Sequence, residues 1–236
     1  MNLTKPYTTV LFDLDGTLTD PEEGITRSFQ YALHHFGIEE KDPVKLRQVI
    51  GPPLLESFTK LFGFSQIDAL LAIDVYREYF TQTGIYENRL YPGIEDMLKE
   101  LQKAGKHLLV ATSKPTVFAN RILEHFNIRQ YFTFVAGSEL NGARTAKAEV
   151  IQWALENSGT NPKKAVMVGD RKHDIIGAVE TNVDTIAVLY GYGSREELKE
   201  AGALYFAETP RQVAEYILDY GKEAERLFSI RRKKRA

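Results

Sequence analysis

The sequence predicts an α/β protein built on a doubly wound parallel sheet, with a helical segment inserted after the first strand. Three short apolar runs, Thr9–Phe12, Leu108–Ala111 and Ala165–Val168, have the character of strands buried on both faces, and each stops where polar residues begin. Segments of helical apolar spacing separate them, so strand and helix alternate as in βαβ units. One interval breaks the alternation. From 22 to 89 the apolar residues keep helical spacing, and no run has the character of a strand.

Taken in order, Thr9–Phe12 is the first strand. The insertion follows, with Ile25, Phe29, Leu33 and Phe36 on one helical face and Leu70, Ile73, Tyr76 and Phe80 on another. It ends at the punctuation of Tyr91-Pro92-Gly93. Helices are then expected over Gly93–Ala104, Pro115–Phe126, Ala146–Asn157 and Asp174–Thr181. Further strands fit Phe132–Val135, Thr185–Val188 and Leu204–Phe206, which brings the sheet to about six strands. The expected organisation is a core domain over 1–17 and 90–225, a smaller helical domain over 18–89 lying across the strand ends, and a basic tail over 226–236.

Composition narrows the function. With 236 residues, 43% of them hydrophobic, the chain is large enough for a substantial core, which excludes a disordered protein. The net charge of −2 does not suit a protein that grips nucleic acid over its whole surface, and no nucleic-acid partner is expected. Six of the 30 basic residues lie in the last 11 positions with no acid among them, which leaves 24 against 32 acids elsewhere. A body that acidic must gather its cations locally to handle phosphate. There are no cysteines, so disulfides, thiolate metal sites and cysteine nucleophiles are excluded. The first residues lack a signal-peptide pattern and no apolar run is long enough to cross a bilayer, so a cytoplasmic protein without a membrane partner is expected. The sequence sets no oligomeric state.

The chemistry-bearing residues sit at the strand ends. Asp13-Leu14-Asp15-Gly16-Thr17 follows the first strand directly, and residues two apart in extended chain project to the same side. Two carboxylates in one small space suit a nucleophile, Asp13, beside a proton donor and acceptor, Asp15. On its own the pair also fits acids that merely end a strand and cap a turn, the lesser of the two readings. Gly169-Asp170-Arg171-Lys172-His173-Asp174 adds two more acids after the Ala165–Val168 strand. Acids so gathered repel unless a cation joins them, and Mg²⁺ with direct carboxylate ligands Asp13 and Asp170 is the expected solution. Asp174 also suits a helix N-terminus by its charge. Ser113 ends the Leu108 strand, where its hydroxyl and the following amides can donate to a phosphoryl oxygen. Lys147 opens a helix, a place unfavourable to a cation, so neutralising phosphate is the expected compensation, although a solvated surface lysine fits the same position.

Asp13-Leu14-Asp15-Gly16-Thr17, Ser113, Lys147 and Gly169-Asp170 through Asp174 occur in the order, and at the strand ends, seen in the haloacid dehalogenase superfamily. The insertion, Thr112-Ser113-Lys114-Pro115 and Gly169 to Asp174 resemble its phosphoglycolate phosphatase and 5′-nucleotidase branch. The resemblance implies a core sheet with a helical cap and an aspartyl-phosphate mechanism. Asp13 would be the nucleophile and Asp15 the acid and then the base. Ser113 and Lys147 would clamp phosphate, with Thr17, which closes the first motif, beside them. Mg²⁺ would lie on Asp13, the Asp15 carbonyl and Asp170, with Asp174 supporting it through water or Lys147. The implied substrate is a small phosphorylated metabolite, phosphoglycolate or a nucleoside 5′-monophosphate. A pyrophosphatase, a phosphosugar mutase, and a regulatory binding protein that retains the site are the alternatives.

For specificity, Gly51-Pro52-Pro53 is either a rigid loop projecting to the site or an ordinary turn between helices. Lys45, Arg47 and Lys60 fit an anionic leaving group or solvated helix faces, and Arg144 is the better candidate for reaching the entrance. Gly191-Tyr192-Gly193 begins like a dinucleotide fingerprint but lacks its continuation, and is expected to be a plain loop. His34 and His35 belong to the surface of the helical domain, His173 to solvent or a supporting role, and Trp153, with Val150 and Ala154, to the core.

Overall fold

A computed structural model of the chain describes residues 7–218. Six parallel strands form one sheet: β1 (Thr9–Phe12), β4 (His107–Pro115), β5 (Phe134–Ser138), β6 (Ala165–Gly169), β7 (Asp184–Val188) and β8 (Tyr205–Ala207). Their order is β5-β4-β1-β6-β7-β8. The chain therefore builds outward from β1 in one direction, then returns and builds in the other from β6. The reversal falls between β1 and β6, and the crevice at their C-terminal ends is where open α/β sheets bind ligands. In register, Phe12 stands opposite Val110 of β4 and Val168 of β6, so Asp13 emerges one step beyond both pairings.

Helices cover both faces of the sheet: α5 (Ile94–Lys103), α6 (Thr116–His125), α7 (Lys147–Ser158), α8 (Lys172–Glu180), α9 (Arg195–Glu200) and α10 over 210–218. Alternation of side chains along β1 sorts the core. Val10 and Phe12 join the larger apolar cluster, whereas Leu11 packs with Leu109, Met167 and the α7 residues Val150, Ile151 and Ala154.

Between β1 and α5 the chain leaves the sheet through β2 (Thr19–Asp20) and returns through β3 (Arg89–Leu90), which pair antiparallel. The segment between them comprises α1 (Glu22–His35), α2 (Pro43–Arg47), α3 (Leu54–Glu56) and α4 (Gln66–Tyr79). Wide helical turns over Ser57–Leu61 and Phe80–Gly84 extend α3 and α4. Aromatic packing holds the unit together, with the Phe29 ring 4.7 Å from Phe58 and 5.2 Å from Tyr76. Where α1 crosses the end of α4, a Cβ on Gly24 would lie 1.9 Å from the Gly84 carbonyl oxygen, so only glycine admits this approach. Phe29 and Phe58 share one continuous apolar cluster with Phe12 and Val168, and Phe80 at the end of the inserted helices packs edge-on against Phe118 of α6, 5.5 Å between centroids.

Several edges differ from expectation. The third strand is Phe134–Ser138, because a 3₁₀ turn over Arg129–Tyr131 takes up the preceding residues. The second strand runs on to Pro115 and carries Thr112, Ser113 and Lys114 with it. β2 and β3, two residues each, are too short for periodicity to register. Trp153 is not core: it is 38% exposed, with the Arg144 guanidinium 4.7 Å from its ring centroid. The basic tail over 226–236 lies outside the described residues. Among those residues no helix is long and apolar enough to cross a membrane.

Candidate active site

The site is built on the turn after β1. Gly16 adopts φ +85°, and a Cβ there would stand 2.2 Å from Asp170 Oδ2. Both the left-handed backbone and the close approach demand glycine. The turn points Asp13 and Asp15 into the crevice with side chains 7% and 12% exposed.

Lys147 opens α7 with its charge buried. Its Nζ donates to Asp13 Oδ1 at 2.8 Å and to the Ala111 carbonyl at 3.1 Å, and pairs with Asp174 Oδ1 at 2.7 Å. Burial opposes that charge, but Asp13 and Asp174 outweigh it and hold the Lys147 pKa above the ordinary lysine range. Asp170, fully buried at the end of β6, accepts from Thr17 Oγ1 at 3.2 Å and from the Tyr192 amide at 2.8 Å. Burial, reinforced by Asp174 and Asp13, pushes its carboxyl well above the usual carboxylate range. Asp174 is pushed up to about 6 by burial, against the pull of Lys147, and also accepts from the Arg171 amide at 3.0 Å.

Asp13, Asp170 and Asp174 each offer a carboxylate oxygen, and these atoms lie within 4.8 Å of one another. Three buried hard-oxygen donors, two of them with pKa values raised by burial and further by their acidic neighbours, are the donor set that suits Mg²⁺. The residues present therefore fit such an ion. Asp174, expected to support such an ion through water or Lys147, offers a carboxylate oxygen within the same cluster.

Asp15 is set apart from this group. Burial raises its pKa despite the opposing charge of Lys114, with Asp13 adding to the rise. Its Oδ2 pairs with Lys114 Nζ at 2.9 Å, while its buried Oδ1 has no hydrogen-bond partner among the described residues. Carboxyl groups of this kind hold a proton more readily than exposed ones and suit acid–base work.

Not every expected residue faces the crevice in its expected way. Ser113 does, lining the same cleft as Asp13 and Asp15. Gly51, Pro52 and Pro53 line it from the inserted helical segment, where they connect α2 to α3. Thr17 is fully buried and its hydroxyl is spent on Asp170, so it braces the acid instead of meeting phosphate. Arg144 is turned away to Glu139 and the face of Trp153 and does not line the cleft. His173 lines a second opening, together with Lys147, Ser113 and Glu56.

Sequence reasoning missed four contributors. Lys114 was visible only as a link between Ser113 and Pro115. Arg171 donates to the Ile50 carbonyl and, through Nε, to Glu197 at 3.1 Å, tying the Gly51 loop to the strand end that carries Asp170. The loop after β7 is no plain connection, since a Cβ on Gly191 would meet Asp170 Cβ at 2.4 Å and the Gly16 carbonyl at 2.4 Å. Its two glycines were the signal: they allow backbone against backbone around Asp170. Arg77 of α4 also lines the cleft.

A phosphate-handling hydrolase of the α/β class is what this fold and crevice define. Residues 10–188 match the family model described as haloacid dehalogenase-like hydrolase, and the chain belongs to that family. A 5′-nucleotidase of Pseudomonas aeruginosa is 49% identical over 193 residues, covering 82% of this chain and 87% of that protein. The crystal structure of a predicted phosphatase from Clostridium acetobutylicum superimposes with a TM-score of 0.88 at 47% identity, over 90% of this chain and 99% of that one. The tyrosine-protein kinase PtkA of Mycobacterium tuberculosis is 42% identical over 185 residues, 78% of this chain but only 62% of PtkA. The chain is accordingly a phosphatase-type hydrolase.

Proposed function

We propose that the chain is a cytoplasmic, Mg²⁺-dependent phosphomonoester hydrolase that works through a phosphorylated Asp13. Its substrate is a small phosphorylated metabolite, with phosphoglycolate and nucleoside 5′-monophosphates as the leading classes, the second favoured by the name of the Pseudomonas relative. Residues 18–89 serve as a cap over a core of 1–17 and 90–225.

In the first step an Asp13 oxygen attacks phosphorus, the bond to the leaving oxygen breaks, and the proton of Asp15 goes to that oxygen. In the second, water attacks the acyl phosphate, Asp15 takes its proton, and inorganic phosphate leaves with Asp13 restored. Lys147 and the Ser113 hydroxyl hold phosphoryl oxygens during both steps. Mg²⁺ held by Asp13, Asp170 and the Asp15 carbonyl, with Asp174 adjoining, would supply the remaining positive charge. Much of the catalysis in such transfers is positioning and neutralisation, and Lys147 is already positioned by three contacts.

The observation that carries the reading is Asp15: a buried carboxyl of raised pKa two residues from the nucleophile, with one oxygen free of partners among the described residues. Such a group lets the covalent intermediate hydrolyse. The test is phosphate release with Mg²⁺ across phosphoglycolate, nucleoside monophosphates, pyrophosphate and phosphosugars, with Asp13→Asn as blank. Release from one or more of the esters that vanishes in the blank supports the reading, and none sinks it. Because PtkA is a relative, the same reactions are followed with radiolabelled phosphate, and label moving onto tyrosine instead of into free phosphate would favour transfer.

A further inference from the structure

We propose that Arg77, on the inserted helical segment, binds a second anionic group on the leaving side of the substrate, a carboxylate or a second phosphate. The inference rests on the phosphatase reading above and concerns which substrates the same cleft prefers.

Three observations converge on Arg77. It lines the cleft that holds Asp13, Asp15 and Ser113. Its Nε is buried and has no hydrogen-bond partner among the described residues. Its remaining contacts are weak: Nη2 donates to the Leu140 carbonyl at 3.2 Å, and the only carboxylate in reach among the described residues is Asp74, 3.9 Å away and 75% exposed. A buried guanidinium N–H without an acceptor costs free energy, and the planar fork of arginine matches a carboxylate or phosphate edge.

The surroundings fix where such a group would lie. Phe80 follows Arg77 by three residues, one turn along the helix, and Lys114 Nζ stands 4.5 Å from its ring centroid. Lys114 is matched by Asp15 and Lys147 by Asp13 and Asp174, whereas Arg77 has no close acidic partner in the cleft. The other walls, Ile25, Val49, Leu54 and Phe118, offer no charge. A cation with one buried N–H unpartnered and no close carboxylate, among apolar walls in the cleft that also holds Asp15, favours a leaving group that is itself anionic.

The experiment measures binding separately from turnover. Titration calorimetry in Mg²⁺ uses the Asp13→Asn protein, which keeps ligands intact, and the Asp13→Asn/Arg77→Gln protein, against 2-phosphoglycolate, pyrophosphate and 2-hydroxyethyl phosphate. The last matches phosphoglycolate in size but lacks its second anionic group. Arg77→Gln should weaken binding of at least one ligand that carries a second anionic group by about tenfold or more, and leave 2-hydroxyethyl phosphate within about twofold. Loss confined to phosphoglycolate identifies a carboxylate partner, and loss confined to pyrophosphate a phosphate. Arg77→Lys, which retains the charge, should keep part of the affinity and guards against a folding defect. Equal affinities in the two proteins, or equal losses for all three ligands in both Arg77 variants, overturn the inference. Absence of turnover in the unmodified protein would instead strike the phosphatase reading and leave this binding comparison standing.

Discussion

Lys114 and Asp15 form a nearly buried ion pair, Nζ to Oδ2 2.9 Å, in the crevice that also holds the nucleophile candidate Asp13. The pair sets two opposing forces on Asp15. Burial favours the protonated acid, Lys114 favours the carboxylate, and burial wins. A pair of this kind restrains the side chain without fully fixing its charge.

Removing Lys114 should therefore cost stability in a pH-dependent way. Taking one partner from a buried pair usually costs about 3–5 kcal/mol, but Asp15 can relieve part of this by keeping its proton. Because its folded pKa is raised, the stability it contributes is full below the unfolded carboxylate value and is lost as pH rises through the folded pKa. Lys114→Met raises that folded pKa further. The penalty in denaturant unfolding of metal-free protein should thus be small in acid and grow toward neutral pH. A pH-independent penalty would show that Asp15 stays charged.

Lys147 presents the complementary case, one cation against two acids. Lys147→Met leaves Asp13 and Asp174 facing one another without it, and should destabilise the metal-free protein by about 3–5 kcal/mol. A divalent cation can take over that neutralisation. Added Mg²⁺ should raise the melting temperature of Lys147→Met more than that of the unmodified protein. Phosphate release should stay low even so, since the lysine is also asked to hold phosphoryl oxygens.

The two aspartates of the first motif should fail differently. Asp13→Asn should abolish turnover while leaving the fold intact. Asp15→Asn should still accept phosphate on Asp13 but release it about 10²–10⁴-fold more slowly, the usual worth of a positioned acid–base group. Acid-quenched gels with labelled substrate distinguish them, with label retained only on Asp15→Asn. Chelation should stop the unmodified enzyme and Mg²⁺ restore it, and restoration by Zn²⁺ alone would contradict an all-oxygen donor set.

What was legible in the sequence follows from the length and regularity of each feature. β1, β4 and β6 are buried on both faces, so unbroken apolar runs announced them, and the acids directly after β1 and β6 stood out against those runs. Asp13, Asp15 and Asp170 came together as their strand-end positions implied, and Lys147 reaches them from the start of α7. Thr17 joins them too, but its hydroxyl is spent on Asp170 and not turned to the cleft, a choice that no spacing encodes. Arg144 was misjudged for a similar reason: it lies near Lys147 in sequence, but a positive φ of 55° accompanies its turn to Trp153. Lys114, Arg77 and the Gly191 loop act through contacts between distant segments, and only the folded chain reveals those.

Tyr192 links that loop to the point where the inserted segment leaves the core. Its amide donates to Asp170, and its hydroxyl donates to Asp20, which also pairs with Arg89 at 2.7 Å across the β2–β3 ribbon. Burial works against the Asp20 charge, but Tyr192 and Arg89 together hold its carboxyl below the usual range. The sign here is opposite to that of Asp15. A lowered folded pKa gives stability that is present above the unfolded value and lost as pH falls through the folded one. Tyr192→Phe removes a hydrogen bond to a charged group, worth about 1.5–3 kcal/mol, the lower end applying where water screens the pair. The expected loss is therefore full above the unfolded carboxylate value and shrinks as the pH falls from there through the lowered folded one. Asp20→Asn should behave alike, and combining the two should cost less than their sum, because both remove the same contact. Unfolding measured across this pH range checks the sign, and additive losses in the double variant would mean that the hydroxyl and the carboxylate act separately.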